Sequence, residues 1–187
     1  MNLSTPLFVR TAVSQTEKAY SALEEMIVTG ELPPGSQWSE TTLSERVGIG
    51  RSPVRDALQK LAFQRLVEIA PRQGIFISEI DYQGQLKIIQ ARREIERLIV
   101  AQAAQWADDS ERAELARLAR ELEDLKAVND MRVYMRLHFA LTSQIGAASR
   151  NSYAAEFHAM LQTLARRFLY FCLLYTSDAA DEGLGVD

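Results

Sequence analysis

The sequence is poor in cysteine and contains no long apolar run. Its single cysteine, Cys172, cannot form a disulfide within the chain, which excludes a disulfide-stapled secreted domain. No stretch of about 18 apolar residues occurs, so no membrane-spanning helix is expected. Residues 1–15 also lack the continuous apolar segment of a secretory signal peptide. These absences favour a cytoplasmic protein without a membrane partner.

The sequence also lacks the residue combinations that catalysis usually requires. Its two histidines, His138 and His158, accompany no nucleophile, phosphate-binding loop or set of metal ligands in a recognisable motif. An enzyme that uses one of these histidines as a general base is therefore disfavoured, and the chain is predicted not to be an enzyme.

Proline and glycine are scarce in the second half of the chain. All five prolines precede residue 72, and four of the nine glycines follow residue 80. Beyond a hinge-like segment at 81–84, apolar residues recur at helical spacing and predict four helices, at about 83–108, 110–128, 131–147 and 152–171. The second domain, 83–171, is therefore expected to be an all-α bundle.

The net charge of −4 is distributed unevenly. Between Arg46 and Arg72 there are six basic and two acidic residues, a local excess of four positive charges. The last 16 residues contain four acidic residues and no basic one. A local basic stripe of this kind is typical of a nucleic-acid-binding surface, whatever the total charge.

The first half of the chain predicts three helices. Apolar residues at helical spacing indicate a first helix over about 16–29. Ser39 is expected to cap a second, ending near Val47. Ser52 is expected to cap a third, with Pro53 at its first helical position.

Two β-prone runs follow these helices, at 66–70 and 75–80. They are separated by the turn Pro71-Arg72-Gln73-Gly74, which predicts a hairpin with a basic tip. Three helices and a hairpin in this order indicate a winged helix-turn-helix over residues 15–80. Residues 1–14 are predicted to be a loose N-terminal arm, and the predicted fold is mainly α.

Four segments of this domain resemble the DNA-binding domain of the GntR family of bacterial transcription regulators. They occur in the family's order and spacing over about 65 residues, which makes the resemblance far more specific than a single short motif. The segments are Ile27–Gly35, Leu43–Ile49, Arg51–Leu58 and Arg65–Gly74. The resemblance implies that double-stranded operator DNA is the partner.

Arg51 and Arg55 are four residues apart near the start of the third helix, so they project from one face. The first residues of a recognition helix enter the major groove, where arginine donates to guanine or phosphate oxygen atoms. The alternative is that both are ordinary solvent-exposed charged residues of a helix, with no role in binding. Together with the wing tip and a family position on the second helix, the predicted DNA-binding residues are Thr41, Arg51, Ser52, Arg55, Arg72, Gln73 and Gly74.

Two positions depart from the family pattern. Gly50 replaces the usual Ser or Thr before the first arginine, and Thr41 stands where some relatives carry a basic residue. These changes bear on base preference and affinity.

The second domain resembles the FCD domain, the effector-binding half of one branch of the GntR family. The residues that carry this resemblance include Arg92, Ile95, Glu96, His138-Phe139 and Ser149-Arg150-Asn151. The resemblance implies an effector site with Arg92 and His138, and an organic acid as the effector. The alternatives are a surface Arg92 paired with Glu96, and His138 as a hydrogen-bonded core histidine.

Many FCD domains hold a divalent metal between helices. His138 is the one candidate ligand here, because Tyr134 occupies the position of the family's aspartate and His158 falls too early for a later ligand. The metal site is therefore expected to be incomplete, and the cofactor is unknown.

Residues 172–187 begin with Cys172-Leu-Leu-Tyr-Thr-Ser-Asp-Ala-Ala-Asp-Glu182, which looks like the translation of a transposase adapter used in sequencing-library preparation. They are expected to be non-native and disordered, with the native protein continuing beyond Phe171. A natural acidic tail is the alternative.

Taken together, these features predict a homodimeric DNA-binding transcription repressor controlled by a small carboxylate effector. The alternative is a DNA-binding fragment that does not respond to an effector because its sensor domain is incomplete.

Overall fold

The computed structural model describes residues 13–125 and 131–182, without the side chains of residues 131, 132 and 173–182. The chain divides into two compact units, Met1–Glu79 and Ile80–Asp187. The predicted arm at 1–14 lies outside the described residues, except for residues 13 and 14.

From residue 13 onward, the first unit contains three helices and a small antiparallel sheet, as the winged helix-turn-helix prediction requires. Its elements are α1 (Gln15–Val28), β1 (Gln37–Trp38), α2 (Glu40–Val47), α3 (Arg51–Phe63), β2 (Val67–Ala70) and β3 (Gly74–Ile77). The strand order is β1-β3-β2, so the predicted hairpin gains a third strand that the sequence pattern did not indicate. Short polar side chains start two of the helices: Ser14 forms a capping box with Glu17, and Ser39 accepts a hydrogen bond from the Thr42 amide.

The core of this unit lies between α1, one face of α3 and the sheet. Its fully buried side chains, all at most 2% exposed, are Ala19, Leu23, Ile27, Leu32, Leu43, Val54, Ala57, Leu58, Leu61, Leu66, Val67 and Ile77. Burial of these apolar side chains is the main stabilising contribution to the unit. It also determines which face of α3 remains outside.

The start of α3 differs from the prediction. The helix begins at Arg51 with Gly50 as its N-cap, and no side chain caps it, so the expected Ser52 cap is wrong. Pro53 occupies the third helical position, where its missing N–H is one of the groups that a helix start leaves unpaired. The carbonyl of Ile49 instead accepts a hydrogen bond from the Ser44 hydroxyl, which ties the turn to α2.

The wing hairpin pairs Val67 with Ile77 and Ala70 with Gly74. Gly74 has φ of 115°, and a Cβ atom there would lie 2.8 Å from the carbonyl oxygen of Trp38 in β1. Only glycine tolerates both this backbone conformation and this close approach. The third strand therefore depends on Gly74.

Within its described residues the second unit contains four helices, as predicted: α4 (Gln85–Trp106), α5 (Asp109–Leu125), α6 (Met131–Ala148) and α7 (Ser152–Glu182). The prediction that α7 ends at residue 171 is wrong. No proline or glycine occurs between Ser152 and Glu182, so nothing in the sequence interrupts the helix before Gly183. The expected disorder is thus contradicted for 172–182, residues 183–187 lie outside the described part, and the non-native origin stays a prediction. None of the described helices is long and apolar enough to cross a membrane.

The turn between α6 and α7 is fastened to the start of α5. Arg150, with φ of 59°, donates to both carboxylate oxygens of Glu111 at 2.6 and 2.7 Å. This hydrogen bonding lowers the pKa of Glu111 and raises that of Arg150. The pair gives Arg150, which belongs to the segment that resembles FCD domains, a structural role.

The Gly74→Ala variant is expected to destabilise the first unit by about 2 kcal/mol or more, because it combines a strained φ with a clash against backbone. Gly48→Ala is the matched control: Gly48 also has a positive φ, of 67°, but nothing lies within 4 Å of a Cβ there. Gly48→Ala should lower the free energy of unfolding by only about 1 kcal/mol. Urea unfolding followed by Trp38 fluorescence in a Trp106→Phe background measures both. Equal losses of unfolding free energy in the two variants would contradict the close contact between Gly74 and β1.

Candidate functional site

The outward face of α3 presents the predicted DNA-reading residues. Arg51, Ser52 and Arg55 are exposed, while Val54 and Ala57 on the opposite side are fully buried. Because no side chain caps α3, the first-turn amides of Arg51 and Ser52 are also unoccupied by a capping group. Backbone amides at a helix start favour phosphate oxygen atoms. The structure therefore combines two arginine side chains and an uncapped helix start on one surface.

Arg55 is not a freely solvated charge. Its Nε and Nη2 atoms donate to the two carboxylate oxygens of Glu40, at 2.9 and 2.8 Å. Its pKa is raised, mainly by these hydrogen bonds. Sequence reasoning missed this pair, because the partners are 15 residues apart on different helices. Thr41, which follows Glu40 in α2, is half-buried.

The wing tip projects its polar side chains into solvent. Pro71, Arg72 and Gln73 are exposed, and Arg72 has φ of 63°. The backbone of the tip is held from β1, since the Gln37 side-chain amide donates to the Gln73 carbonyl at 2.6 Å. This leaves the Arg72 and Gln73 side chains available on a fixed support.

A further basic side chain, that of Arg46, lies over β1. The guanidinium carbon of Arg46, near the end of α2, lies 5.1 Å from the centre of the Trp38 ring, within the range of a cation–π contact. Arg46 was counted in the basic stripe but not among the predicted DNA-binding residues. Its position beside the wing could be recognised only once β1 was known.

The second unit contains a separate cavity of about 190 Å³ between α4, α6 and α7. It is lined by Arg92, Tyr134, Met135, His138, Gln162, Ala165, Arg166 and Leu169. Both residues of the predicted effector site, Arg92 and His138, line this cavity. Arg166 is a second guanidinium in the lining, and it also lies 4.8 Å from the Phe139 ring centre.

His138 is held in the cavity wall by its neighbours. Its Nδ1 accepts a hydrogen bond from the Gln162 amide nitrogen at 3.1 Å, and its ring stacks on Tyr134. The pKa of His138 is lowered, first by burial and then by the positive charge of Arg92. The lowered pKa favours the neutral, hydrogen-bonding form of His138. The buried Oε1 of Gln162 accepts no hydrogen bond, which leaves an acceptor in the cavity wall.

Arg92 fulfils both of the alternatives considered for it. It lines the cavity, and its Nε lies 3.1 Å from Glu96 Oε1. The same oxygen lies 3.1 Å from Nε2 of His158, which is only 3% exposed. His158 therefore has a structural partner, 62 positions away, that sequence spacing could not reveal.

The surroundings of His138 do not fit a divalent metal. The groups in contact with it are an aromatic ring and a carboxamide, which are poor ligands, and the positive charge of Arg92 also acts on it. The carboxylate of Glu96 acts on it too, but Glu96 is already paired with Arg92 and His158. Within the described ranges 13–125 and 131–182, no three His, Cys, Asp or Glu side chains are grouped as a metal site requires.

Comparison with known proteins identifies both halves of the chain. Residues 15–77 match the family model of bacterial regulatory proteins of the gntR family, and residues 87–183 match that of the FCD domain. Among curated proteins, the chain is 29% identical to the transcriptional regulator McbR of Escherichia coli K12, over 64% of this chain and 54% of McbR. It is 26% identical to the transcriptional repressor GlaR of the same organism, over 84% of this chain and 73% of GlaR.

A solved structure of E. coli McbR/YncC has a similar fold. Its TM-score is 0.74 at 25% identity, covering 86% of this chain and 76% of that chain. The chain spans between 26% and 54% of the length of the first three curated relatives. The families and relatives named here are regulators of transcription rather than enzymes, which agrees with the prediction.

The lowered pKa of His138 gives a measurable expectation. Its ring should titrate below the usual value of about 6.5, and Arg92→Met should move the midpoint upward by removing a nearby positive charge. Arg93→Met is the control, because Arg93 is exposed on the same helix. The pH dependence of the histidine C–H resonances in NMR spectra reports both. A wild-type midpoint above 6.5, or equal shifts in the two variants, would contradict the proximity of Arg92.

Proposed function

The chain belongs to the GntR family of bacterial regulatory proteins, in the branch with an FCD domain, and on this premise we propose that it regulates transcription by binding operator DNA. The observation that carries the proposal is the exposed Arg51–Arg55 face of α3, in the same unit as an exposed basic wing tip. Binding to DNA would place the protein in the cytoplasm.

The dimensions of the first unit suit this role. The 13 residues of α3 form a cylinder about 20 Å long, which fits a major groove about 12 Å wide. Arg51 and Arg55 near its start would reach base edges, and the first-turn amides with Ser52 would receive a phosphate. Arg72 and Gln73 on the wing would contact the flanking backbone or minor groove.

One unit of this size covers too little DNA for high specificity. We therefore propose a homodimer on a two-fold symmetric operator. The name of the relative GlaR supports repression as the outcome.

The cavity of the second unit supports a small anionic effector. Two guanidinium groups, those of Arg92 and Arg166, line a space that also presents His138. Arginine binds carboxylates through paired, charge-assisted hydrogen bonds. An organic acid that pairs with Arg92 would compete with Glu96, which is the present partner of that side chain.

Arg51 and Arg72 are expected to contribute to DNA binding in different ways. Arg51→Ala should weaken operator binding by roughly 1–3 kcal/mol and relax base preference at one position, because a base contact is lost. Arg72→Ala should weaken binding to all duplexes alike and reduce the salt slope by about one unit, because a phosphate contact is lost. Fluorescence anisotropy with operator and shuffled duplexes at several salt concentrations measures both. Unchanged operator binding by Arg51→Ala would show that α3 does not read the bases.

The effector role is tested by thermal unfolding with a panel of mono-, di- and tricarboxylates. A carboxylate present at about 100 times its dissociation constant should stabilise the chain by about 2.7 kcal/mol. Arg92→Met should abolish the stabilisation and Arg93→Met should preserve it. A chain that binds operator while no carboxylate affects its melting or its DNA affinity would instead be a DNA-binding fragment without effector response.

A further inference from the structure

The carboxylate of Glu40 occupies one edge of the Arg55 guanidinium. Both of its oxygens accept hydrogen bonds, one from Nε and one from Nη2. A planar guanidinium carries five N–H groups, arranged so that each edge presents two parallel donors. The contact therefore uses one edge completely and fixes the plane of the group.

The end of the Arg55 guanidinium that carries Nη1 and Nη2 stays available. Three N–H groups remain, two on Nη1 and one on Nη2, and within the described residues they form no hydrogen bond with the protein. The Arg55 side chain is 64% exposed, whereas that of Glu40 is 26% exposed. Glu40 is thus the more buried partner, and the unused N–H groups belong to a largely exposed side chain. Paired donors on one edge are what guanine O6 and N7 accept in the major groove.

We propose that Glu40 is a positioning residue for DNA reading, which orients the free edge of Arg55 toward one base and so contributes to sequence specificity. This inference rests on the proposed function of α3. It concerns the acidic residue of α2 rather than the arginine, and it treats a negative charge at a DNA-facing surface as part of the recognition machinery.

Stability alone does not account for the pair. Ion pairs at such exposed positions contribute little to folding, since water and salt screen them. A carboxylate near the DNA also repels every phosphate and lowers affinity for all sequences. What the pair does provide is rigidity, because Glu40 begins α2 beside its Ser39 cap and Arg55 belongs to the well-packed α3. A fixed guanidinium loses less conformational entropy when it binds a base.

The alternative role for Glu40 is to sequester Arg55, and the two roles predict different results. A sequestering carboxylate must be displaced by any DNA, so its removal would strengthen operator and shuffled binding by the same factor. A positioning carboxylate improves only the correct contact, so its removal would reduce the ratio of operator affinity to shuffled affinity.

The test measures dissociation constants of the 187-residue chain and its variants by fluorescence anisotropy. The probes are the duplex most enriched by the wild-type chain from a random pool, its single base-pair substitutions, and a shuffled duplex of equal length. Glu40→Gln keeps the side-chain volume but loses the paired acceptor. Glu45→Gln is the control, because it removes the same charge from an exposed position on α2. Arg55→Lys and the double variant Glu40→Gln with Arg55→Lys complete a double-mutant cycle.

Both glutamine variants should bind shuffled DNA more tightly, to a similar extent. Only Glu40→Gln should lower the affinity ratio, by about tenfold, with the loss confined to the base pair at which Arg55→Lys also loses discrimination. The double variant should lose no further selectivity at that base pair. Glu40→Asp, which keeps the charge but shortens the reach, should lose the same selectivity without the gain on shuffled DNA, and it decides the matter should Glu40→Gln fail to fold by circular dichroism.

An unchanged ratio in Glu40→Gln, or a loss spread evenly over the site, would overturn the proposal. A wild-type chain that does not distinguish the enriched duplex from the shuffled one would instead refute the proposed function itself, and with it the role of Glu40.

Discussion

The burial of one face of α3 is the constraint on which the DNA-binding surface depends. Val54, Ala57, Leu58 and Leu61 are at most 2% exposed, and they pack into the core formed with α1 and the sheet. A helix with one face buried this completely cannot rotate about its axis, so its other face must point outward. That face carries Arg51 and Arg55. The hydrophobic core of the first unit thereby sets the orientation of the residues that we expect to read DNA.

The elements that sequence periodicity describes well could be predicted, and long-range pairs could not. The helices and the hairpin follow from apolar spacing, proline and glycine. By contrast, β1 has only two residues, too few to show an alternating pattern, and it is revealed by its pairing with β3. Ser52 was expected to cap α3 because Ser-Pro is a common helix start, yet the backbone turns at Gly50 instead. The contacts of Glu40 with Arg55 and of Glu96 with His158 join distant segments of the chain, so no local sequence pattern predicts them.

The candidate ligand cavity differs in character from the DNA-binding surface. Its polar groups, among them Arg92, His138 and Gln162, lie in a partly buried space where hydrogen bonds are stronger than at the surface. Glu96 Oε1 lies 3.1 Å from Arg92 Nε and 3.1 Å from Nε2 of the buried His158, so an anion bound to Arg92 would act next to a contact between α4 and α7. This offers a physical route from ligand binding to helix movement. The arrangement favours recognition of an anion over coordination of a metal.

The central claim, that α3 reads operator DNA, is tested most directly by selection from a random pool of duplexes and sequencing of the DNA that the chain retains. The account predicts enrichment of an inverted repeat, with each half-site containing a guanine whose enrichment disappears in selections with Arg51→Ala or Arg55→Ala. Failure to enrich any sequence, or recovery of the same motif by those variants, would contradict it.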